Sequence, residues 1–182
     1  MEKIWLKHYP AGVPAEIDAG GYTSLVALLQ ESFTNYRERS AYRYMGQSLS
    51  YGQIDTLSQA FAAWLQGQGL ARGDRVAVML PNVPQYPVAV AAILRAGYVV
   101  VNVNPLYTPR ELEHQLKDAG AKVLIILENF AHTLQQVRAN VPVQSVVLAS
   151  MGELLSFPKS TIVDFVVRRV KKLVPAYELP SA

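Results

Sequence analysis

Short β-branched runs alternate with longer apolar or amphipathic runs between residues 72 and 120, and the rest of the chain is organised around this stretch. Residues 75–80 and 99–103 are rich in valine and predict buried strands. Residues 84–96, between them, predict a helix that is apolar on almost every side, so we expect this helix to be enclosed within the protein. The alternation is typical of a parallel βαβ unit.

The next helix, at residues 108–120, has the most complete end signals in the chain. Thr108 is expected to be its N-cap, Pro109 occupies the first helical position, and Glu111 is placed to complete a capping box. Gly120 can adopt the left-handed conformation that ends a helix. Single residues therefore predict both ends of this element.

Hydrophobic spacing extends the same alternation toward the C-terminus, with strands at 123–127 and 143–148 and a helix at 131–139 between them. Four strands connected by three helices predict an α/β fold with a mostly parallel sheet. We expect right-handed crossovers and helices on both faces of the sheet.

The segment before the sheet predicts a small N-terminal hairpin between two helices. In order, these elements are a helix capped by Thr23 and ending near Asn35, strands at 41–45 and 48–50 around a Gly46-Gln47 turn, and a helix opened by a Ser50 and Gln53 capping box. The α/β subdomain then covers residues 23–158, and residues 1–22, which are punctuated by proline and glycine, predict an extended N-terminal arm.

Residues 159–182 make up the last segment, in which 159–175 predict a basic amphipathic helix. Valine and isoleucine cluster on one side of this helix, and four cations crowd the other: Arg168, Arg169, Lys171 and Lys172. Such a helix can lie on anionic lipid, so these four residues are candidate membrane contacts. The alternative is an ordinary surface helix that packs on the sheet and leaves its basic face in water.

Composition narrows the class of protein. A 51% hydrophobic content excludes a mainly disordered chain, and the lack of cysteine removes disulfides and cysteine-based metal sites. The net charge of +3 is a mild bias without a basic stripe, so no nucleic-acid partner is predicted. The N-terminus has no apolar signal region and the chain has no apolar run of about 20 residues, so we expect a cytoplasmic protein, soluble or peripheral on the membrane.

The loop at residues 102–108 is the candidate binding region. It follows a predicted parallel strand, where open α/β sheets bind ligands, and it offers Asn102, Asn104 and Tyr107 as candidate substrate contacts. Turn and capping chemistry alone also explains these residue types, so both interpretations remain open. The three histidines lack metal-ligand spacing, and the chain has neither a P-loop nor a nucleophile elbow, so no catalytic, cofactor-binding or metal-ligating residue is assigned.

Several of these segments also resemble a known family. The residues that carry the likeness read RGDRVAVMLPN, AAILRAGYVVVNVNPLYTPRELEHQLKDAGAK and NFAHTL. They resemble the N-terminal part of the adenylate-forming enzymes, and specifically of the bacterial long-chain fatty acid CoA ligases. The likeness extends from KIWLKHYPAGVPAEI near the start to LVPAYELP near the end. It implies a partial adenylate-forming N-terminal domain, with an arm that packs on its own body or forms a homodimer on a second subunit.

The resemblance implies an activity for the parent protein. Ligases of this family use ATP and Mg²⁺ to convert a long-chain fatty acid into an acyl-adenylate, releasing pyrophosphate, and then transfer the acyl group to CoA. Their phosphate-binding loop, catalytic lysine and hinge have no counterpart in residues 1–182, so this portion alone is expected to be inactive and to hold no cofactor. Half of the cover of the helix at 84–96 is also expected to be missing, which would expose an apolar patch.

Two other functions remain open at this stage. One is a related adenylate-forming ligase that acts on another carboxylate. The other is a non-catalytic, flavodoxin-like binding module that uses its sheet edge and its basic helix to bind protein or membrane.

Overall fold

The computed structural model describes residues 2–17 and 20–179. Its helices are α1 (Leu25–Asn35), α2 (Tyr51–Gln66), α3 (Gln85–Arg95), α4 (Pro109–Ala119), α5 (Ala131–Val137) and α6 (Lys159–Phe165). Its strands are β1 (Ser40–Tyr44), β2 (Gln47–Ser50), β3 (Arg75–Met79), β4 (Val99–Asn102), β5 (Val123–Leu127) and β6 (Ser145–Ala149). Short 3-10 turns at Ile4–His8, Glu128–Phe130 and Arg138–Asn140 and one π-helical turn at Val166–Val170 complete the regular structure of the described residues.

The central sheet is parallel and has the strand order β4-β3-β5-β6. Successive side chains of β3 point to opposite faces, because the pleat has a period of two. Val76 and Val78 pack in one core with residues of α2 and α3, whereas Ala77 and Met79 pack in a second core with residues of α4 and α5. The predicted parallel sheet with helices on both faces is therefore confirmed.

Helix α3 is enclosed within this chain. None of its residues is exposed, and its buried side chains include Ala89 and Ile93. Arg95, at its C-terminal end, binds Asp55 of α2 at 2.7 Å and lies over the ring of Phe33 of α1. The prediction that half of this helix would be uncovered is wrong, because α1 and α2, which precede the sheet in sequence, supply its cover.

The helix ends that were predicted from single capping residues largely agree with the structure. Thr108 and Glu111 form the capping box of α4, Ser50 and Gln53 form that of α2, and Gly120 ends α4 at a φ of 59°. The cap of α1 was predicted one residue too early, since Ser24 rather than Thr23 accepts a hydrogen bond from the Ala27 N–H at 3.1 Å.

The hairpin turn was also misplaced by one residue. Met45 and Gly46 both have positive φ, 46° and 73°, so they rather than Gly46 and Gln47 are the central residues. A two-residue hairpin turn of the type that matches the strand twist requires positive φ at both of these positions. Met45 accepts this conformation although it is not glycine, and this shifts β1 and β2 relative to the prediction.

The C-terminal helix is shorter than predicted. After α6 the chain makes one π-helical turn at Val166–Val170, and Lys172 has a φ of 49°, which is incompatible with a helix continuing to residue 175. Residues 171–179 then run along α5, where the Glu178 N–H donates to Gln135 at 2.9 Å. This last segment therefore packs on the α/β body.

Candidate functional site

The carboxyl end of the sheet is where a ligand would be expected. The chain leaves β3 for β4 on one side and later returns to β5 on the other side, so the direction of the connections reverses between β3 and β5. Open α/β sheets bind ligands in the crevice outside the strands at such a switch point. The residues that follow β3, β4, β5 and β6 therefore decide what this end of the molecule can do.

The three predicted substrate contacts follow β4, but two of their side chains are already engaged. The Asn102 carboxamide oxygen accepts a hydrogen bond from the Tyr86 hydroxyl at 2.9 Å. The Asn104 side chain accepts the Leu106 N–H at 3.0 Å, which is a local turn contact. Tyr107 is half-buried and packs against the core beneath α4. Only the Asn104 contact is of the local turn type, whereas Asn102 is bonded to α3 and Tyr107 packs on the core.

The N-terminus of α4 already holds a carboxylate. Glu111 accepts hydrogen bonds from both the backbone N–H and the hydroxyl of Thr108, at 2.8 and 2.7 Å. These hydrogen bonds lower the pKa of Glu111, because they stabilise its charged form. Glu111 thus already brings a negative charge to this helix end, which disfavours a second anion there.

An aromatic groove lies next to Asn102 at the end of β3. It has a volume of about 250 Å³ and is lined by Tyr42, Arg43, Tyr44, Asn82, Val83, Pro84, Tyr86 and Pro87. The Tyr44 hydroxyl is buried without a hydrogen-bond partner among the described residues, and burial raises its pKa. Sequence reasoning missed this groove, because it forms only where the hairpin meets the loop between β3 and α3.

The crevice beyond β5 is covered by the C-terminal segment. Glu128, the first residue after β5, is 4% exposed and pairs with Arg168 at 2.8 Å. Asn129 donates to the backbone oxygen of Leu173 at 2.9 Å. A ligand held there in the manner of a flavodoxin-like module would have to displace these contacts.

Helix α6 is fixed in this position by a second set of contacts beyond β6. Asp164 accepts the Ser150 hydroxyl at 2.9 Å and the Gly152 N–H at 2.8 Å. A Cβ on Gly152 would lie 2.4 Å from the backbone oxygen of Ser160, so only glycine permits this approach. The lack of a side chain at one loop residue thus determines how closely α6 docks.

The four candidate membrane contacts do not share one environment. All four are exposed, but Arg168 also donates hydrogen bonds to Glu128, and these raise the pKa of its guanidinium. The expected inward apolar face is also divided: Val167 is buried, but other apolar side chains of this segment are more than half exposed. These are Ile162, Phe165, Val170 and Leu173.

Two general features of the described part of the chain bear on function. None of its helices combines the length and apolar character needed to cross a membrane. No group of three or more histidine, aspartate or glutamate side chains is arranged to hold a metal ion within residues 2–17 and 20–179.

Comparison with known proteins identifies the family to which this chain belongs. Residues 29–175 match the family described as AMP-binding enzyme. The chain is 55% identical over 183 aligned positions to the long-chain-fatty-acid–CoA ligase of Salmonella typhimurium, covering all of this chain and 33% of that protein. It is 37% identical to the long-chain-fatty-acid–CoA ligase of Bacillus subtilis, covering 88% of this chain and 29% of that protein.

A solved structure agrees with these sequence matches. The Mycobacterium tuberculosis fatty acyl CoA synthetase superposes with a TM-score of 0.64 and 27% identity, covering 69% of this chain and 26% of that chain. The chain thus has the fold of the N-terminal domain of adenylate-forming ligases and belongs to the AMP-binding enzyme family. It spans about a third of the length of the curated long-chain-fatty-acid–CoA ligases that it matches.

Proposed function

We propose that this chain is the N-terminal part of an ATP-dependent long-chain fatty acid CoA ligase. The observation that carries the proposal is the 55% identity to the Salmonella typhimurium ligase along the whole of this chain. The parent reaction joins a fatty acid to CoA through an acyl-adenylate and releases AMP and pyrophosphate. Its substrates are a long-chain fatty acid, ATP and CoA, and Mg²⁺ accompanies ATP.

The role of this portion is to build and brace one sheet of the ligase. A carboxylate is a poor electrophile, and ATP, when bound, supplies the adenylate that makes it reactive. No step is assigned to residues of this chain, because the Asn102 and Asn104 side chains are engaged in internal hydrogen bonds. The isolated chain should therefore be inactive and should bind neither ATP nor Mg²⁺ tightly.

The alternatives differ in how they fit the structure. A related ligase for another carboxylate has the same fold, and substrate assays separate it from the main proposal. A free-standing flavodoxin-like module is disfavoured, because Arg168 and Leu173 occupy the crevice beyond β5 that such a module would use.

A chimera tests the main proposal directly. The first third of the Salmonella typhimurium ligase is replaced by residues 1–182, and acyl-CoA formation is measured with palmitate, an aromatic acid and acetate. Palmitate-dependent activity close to that of the intact ligase supports the proposal. A soluble, folded chimera that lacks activity, or one that prefers the aromatic acid or acetate, contradicts it. Titration of the isolated chain with ATP and Mg²⁺ should show no binding, and micromolar affinity would reveal a nucleotide site in this portion.

Two further properties are proposed for the parent protein. We place it in the cytoplasm, in peripheral contact with the inner membrane through the exposed cations Arg169, Lys171 and Lys172 rather than through Arg168. We also propose that the N-terminal arm mediates a homodimer. The arm bears exposed apolar side chains, among them Ile4, Trp5 and Ile17.

A further inference from the structure

The aromatic groove at the end of β3 is lined mainly by tyrosine and proline. Three tyrosines and two prolines contribute to it: Tyr42, Tyr44, Tyr86, Pro84 and Pro87. A tyrosine offers a ring for packing and a hydroxyl for hydrogen bonding. At about 250 Å³ the groove is smaller than the roughly 300–1,000 Å³ of sites that enclose a drug-sized ligand. It therefore suits a short stretch of a longer molecule.

Contacts inside the chain hold the walls of the groove in place. The Tyr86 hydroxyl donates to Asn102 at 2.9 Å, and Tyr44 and Tyr86 pack against the core that α2 and α3 form with the sheet. Val83, between the two walls in the lining, is buried. Because these groups are fixed before a ligand arrives, their ordering adds little to the entropic cost of binding.

The hydroxyl of Tyr44 is a hydrogen-bond donor without an acceptor among the described residues. Burial raises its pKa, so the group keeps its proton at neutral pH. A buried polar group without a partner is costly, and most such groups in proteins are satisfied. The Asn82 carboxamide in the lining is exposed, and it makes no hydrogen bond within the described part of the chain. The groove thus holds two donors that are available to a ligand.

The charge of the groove favours a ligand with an acidic group. Arg43 of β1 contributes to the lining, is exposed, and forms no ion pair with any residue that the structure describes. Within residues 2–17 and 20–179, no aspartate or glutamate contributes to the lining. A carboxylate beside the groove would therefore meet an unpaired cation and no like charge.

We propose that this groove binds a proline-rich segment of a partner protein in the polyproline II conformation, with an acidic residue beside it. The backbone carbonyls of such a segment form no internal hydrogen bonds, and its prolines have no N–H to satisfy. It therefore presents apolar rings to the tyrosines and free acceptors to Tyr44 and Asn82. Aromatic-lined grooves are a recurring way of binding such segments, because the polyproline II helix is formed before binding. The proposal goes beyond the ligase reaction and does not depend on it.

Synthetic peptides test the proposal on the natural chain. The first contains Pro-Ala-Ala-Pro repeats between glutamates, and the second has every proline replaced by alanine, which removes the preformed helix. Fluorescence anisotropy of the labelled peptides measures binding. The proline peptide should bind at least about tenfold more tightly than the alanine peptide. A third peptide, in which lysines replace the flanking glutamates, should bind more weakly than the first, because Arg43 repels it.

Three variants of the chain locate the binding site. Tyr44→Phe removes only the unpartnered hydroxyl, so it should weaken binding of the proline peptide about fivefold without lowering the melting temperature. Tyr36→Phe, at an exposed tyrosine outside the groove, is the matched control and should bind like the natural chain. Tyr42→Ala removes a ring that is 48% exposed, so it should abolish binding while the chain stays folded.

Other results would overturn the proposal. These are no binding, equal binding of the proline and alanine peptides, and equal affinity of the Tyr44→Phe variant and the natural chain. Binding by the isolated chain but not by the folded chimera would show that the parent ligase covers the groove. Binding that appears only after deletion of residues 1–22 would assign the groove to the arm of the chain itself. Displacement of the peptide by an equal concentration of benzoate would indicate a site for small aromatic acids instead.

Discussion

Two nitrogens of Arg168 contact the same carboxylate oxygen of Glu128, Nη2 at 2.8 Å and Nε at 2.9 Å. The carboxylate belongs to the residue directly after β5 and is almost fully buried, while the arginine comes from the π-helical turn after α6. The pair therefore ties the C-terminal segment to the carboxyl end of the sheet. The sequence predicts Arg168 on the solvated face of a helix, but in the structure its side chain helps to close the crevice beyond β5.

Removing this arginine should destabilise the chain. Arg168→Ala leaves the Glu128 carboxylate buried without its charge partner, and we expect a loss of about 2 kcal/mol in the free energy of unfolding. Arg168 is itself about half exposed, which keeps the effect below that of a fully buried pair. Urea denaturation followed by circular dichroism measures the change.

A double variant separates two contributions to the free energy of unfolding: the penalty of leaving the Glu128 charge buried without a partner, and the stabilisation from the ion pair itself. Arg168→Met combined with Glu128→Gln removes both charges, so it should be more stable than Arg168→Met alone. If the double variant is no more stable than the single one, the interpretation of Glu128 as a stranded buried charge is wrong.

The close approach between Gly152 and α6 gives a second prediction. A Cβ at this position would lie 2.4 Å from the Ser160 backbone oxygen and 2.7 Å from an Asp164 side-chain oxygen. Gly152→Ala should therefore push α6 away from the sheet and cost about 1 to 3 kcal/mol. Hydrogen exchange should report faster exchange in α6 than in β3. Gly67→Ala, at an ordinary φ of −75°, serves as the control and should have little effect on α6.

Local signals predicted much of this fold. The capping boxes at Ser50 and Thr108 and the glycine stop at Gly120 use side chains within a few residues of each other, so the sequence contains the whole interaction. The strand and helix alternation is likewise local, because burial on both faces of a parallel sheet leaves continuous apolar runs.

What the sequence did not predict depends on contacts between distant segments. The cover of α3 comes from Phe33 and Asp55, more than thirty residues away in sequence, and hydrophobic periodicity carries no information about which element supplies it. The pairing of Arg168 with Glu128 likewise depends on a π-helical turn that shifts side chains off the ordinary helical spacing. The aromatic groove at Tyr44 has no local signal.

The Asp74 carboxylate should make stability sensitive to acid. Its pKa is lowered from the ordinary 3.8, chiefly by the hydrogen bond from Lys122 and also by the backbone N–H of Ala71. A carboxylate with a depressed folded-state pKa contributes stability above its unfolded-state pKa, and that contribution is lost as pH falls through the folded-state value. Asp74→Asn should therefore be less stable than the natural chain near neutral pH, and the difference should shrink below about pH 4. A difference that stays constant across this range would show that the charge of Asp74 is not responsible.

The N-terminal arm should control the association state. The hydrogen bonds within residues 2–17 link residues of that segment to one another, and Ile4, Trp5 and Ile17 are 62%, 49% and 88% exposed. If the arm packs on a second subunit, a variant lacking residues 1–22 should be monomeric where the natural chain is dimeric. Light scattering over a range of concentrations measures this. A natural chain that remains monomeric at all concentrations would contradict the proposed homodimer.

Binding to anionic vesicles should depend on the exposed cations after α6. Lys171→Ala and Lys172→Ala should each weaken binding to phosphatidylglycerol vesicles by about fivefold, since a cation near an anionic surface contributes about 1 kcal/mol. Arg110→Ala, which removes an exposed charge from α4, is the matched control and should leave binding unchanged. Phe165→Ser should also reduce binding, because this ring is 59% exposed beside the cations and can enter the lipid interface. Added salt should weaken the cation-dependent part and leave the Phe165 contribution in place. Equal losses for the Arg110 and Lys171 variants would indicate a general charge effect and would contradict a membrane surface at this end of the protein.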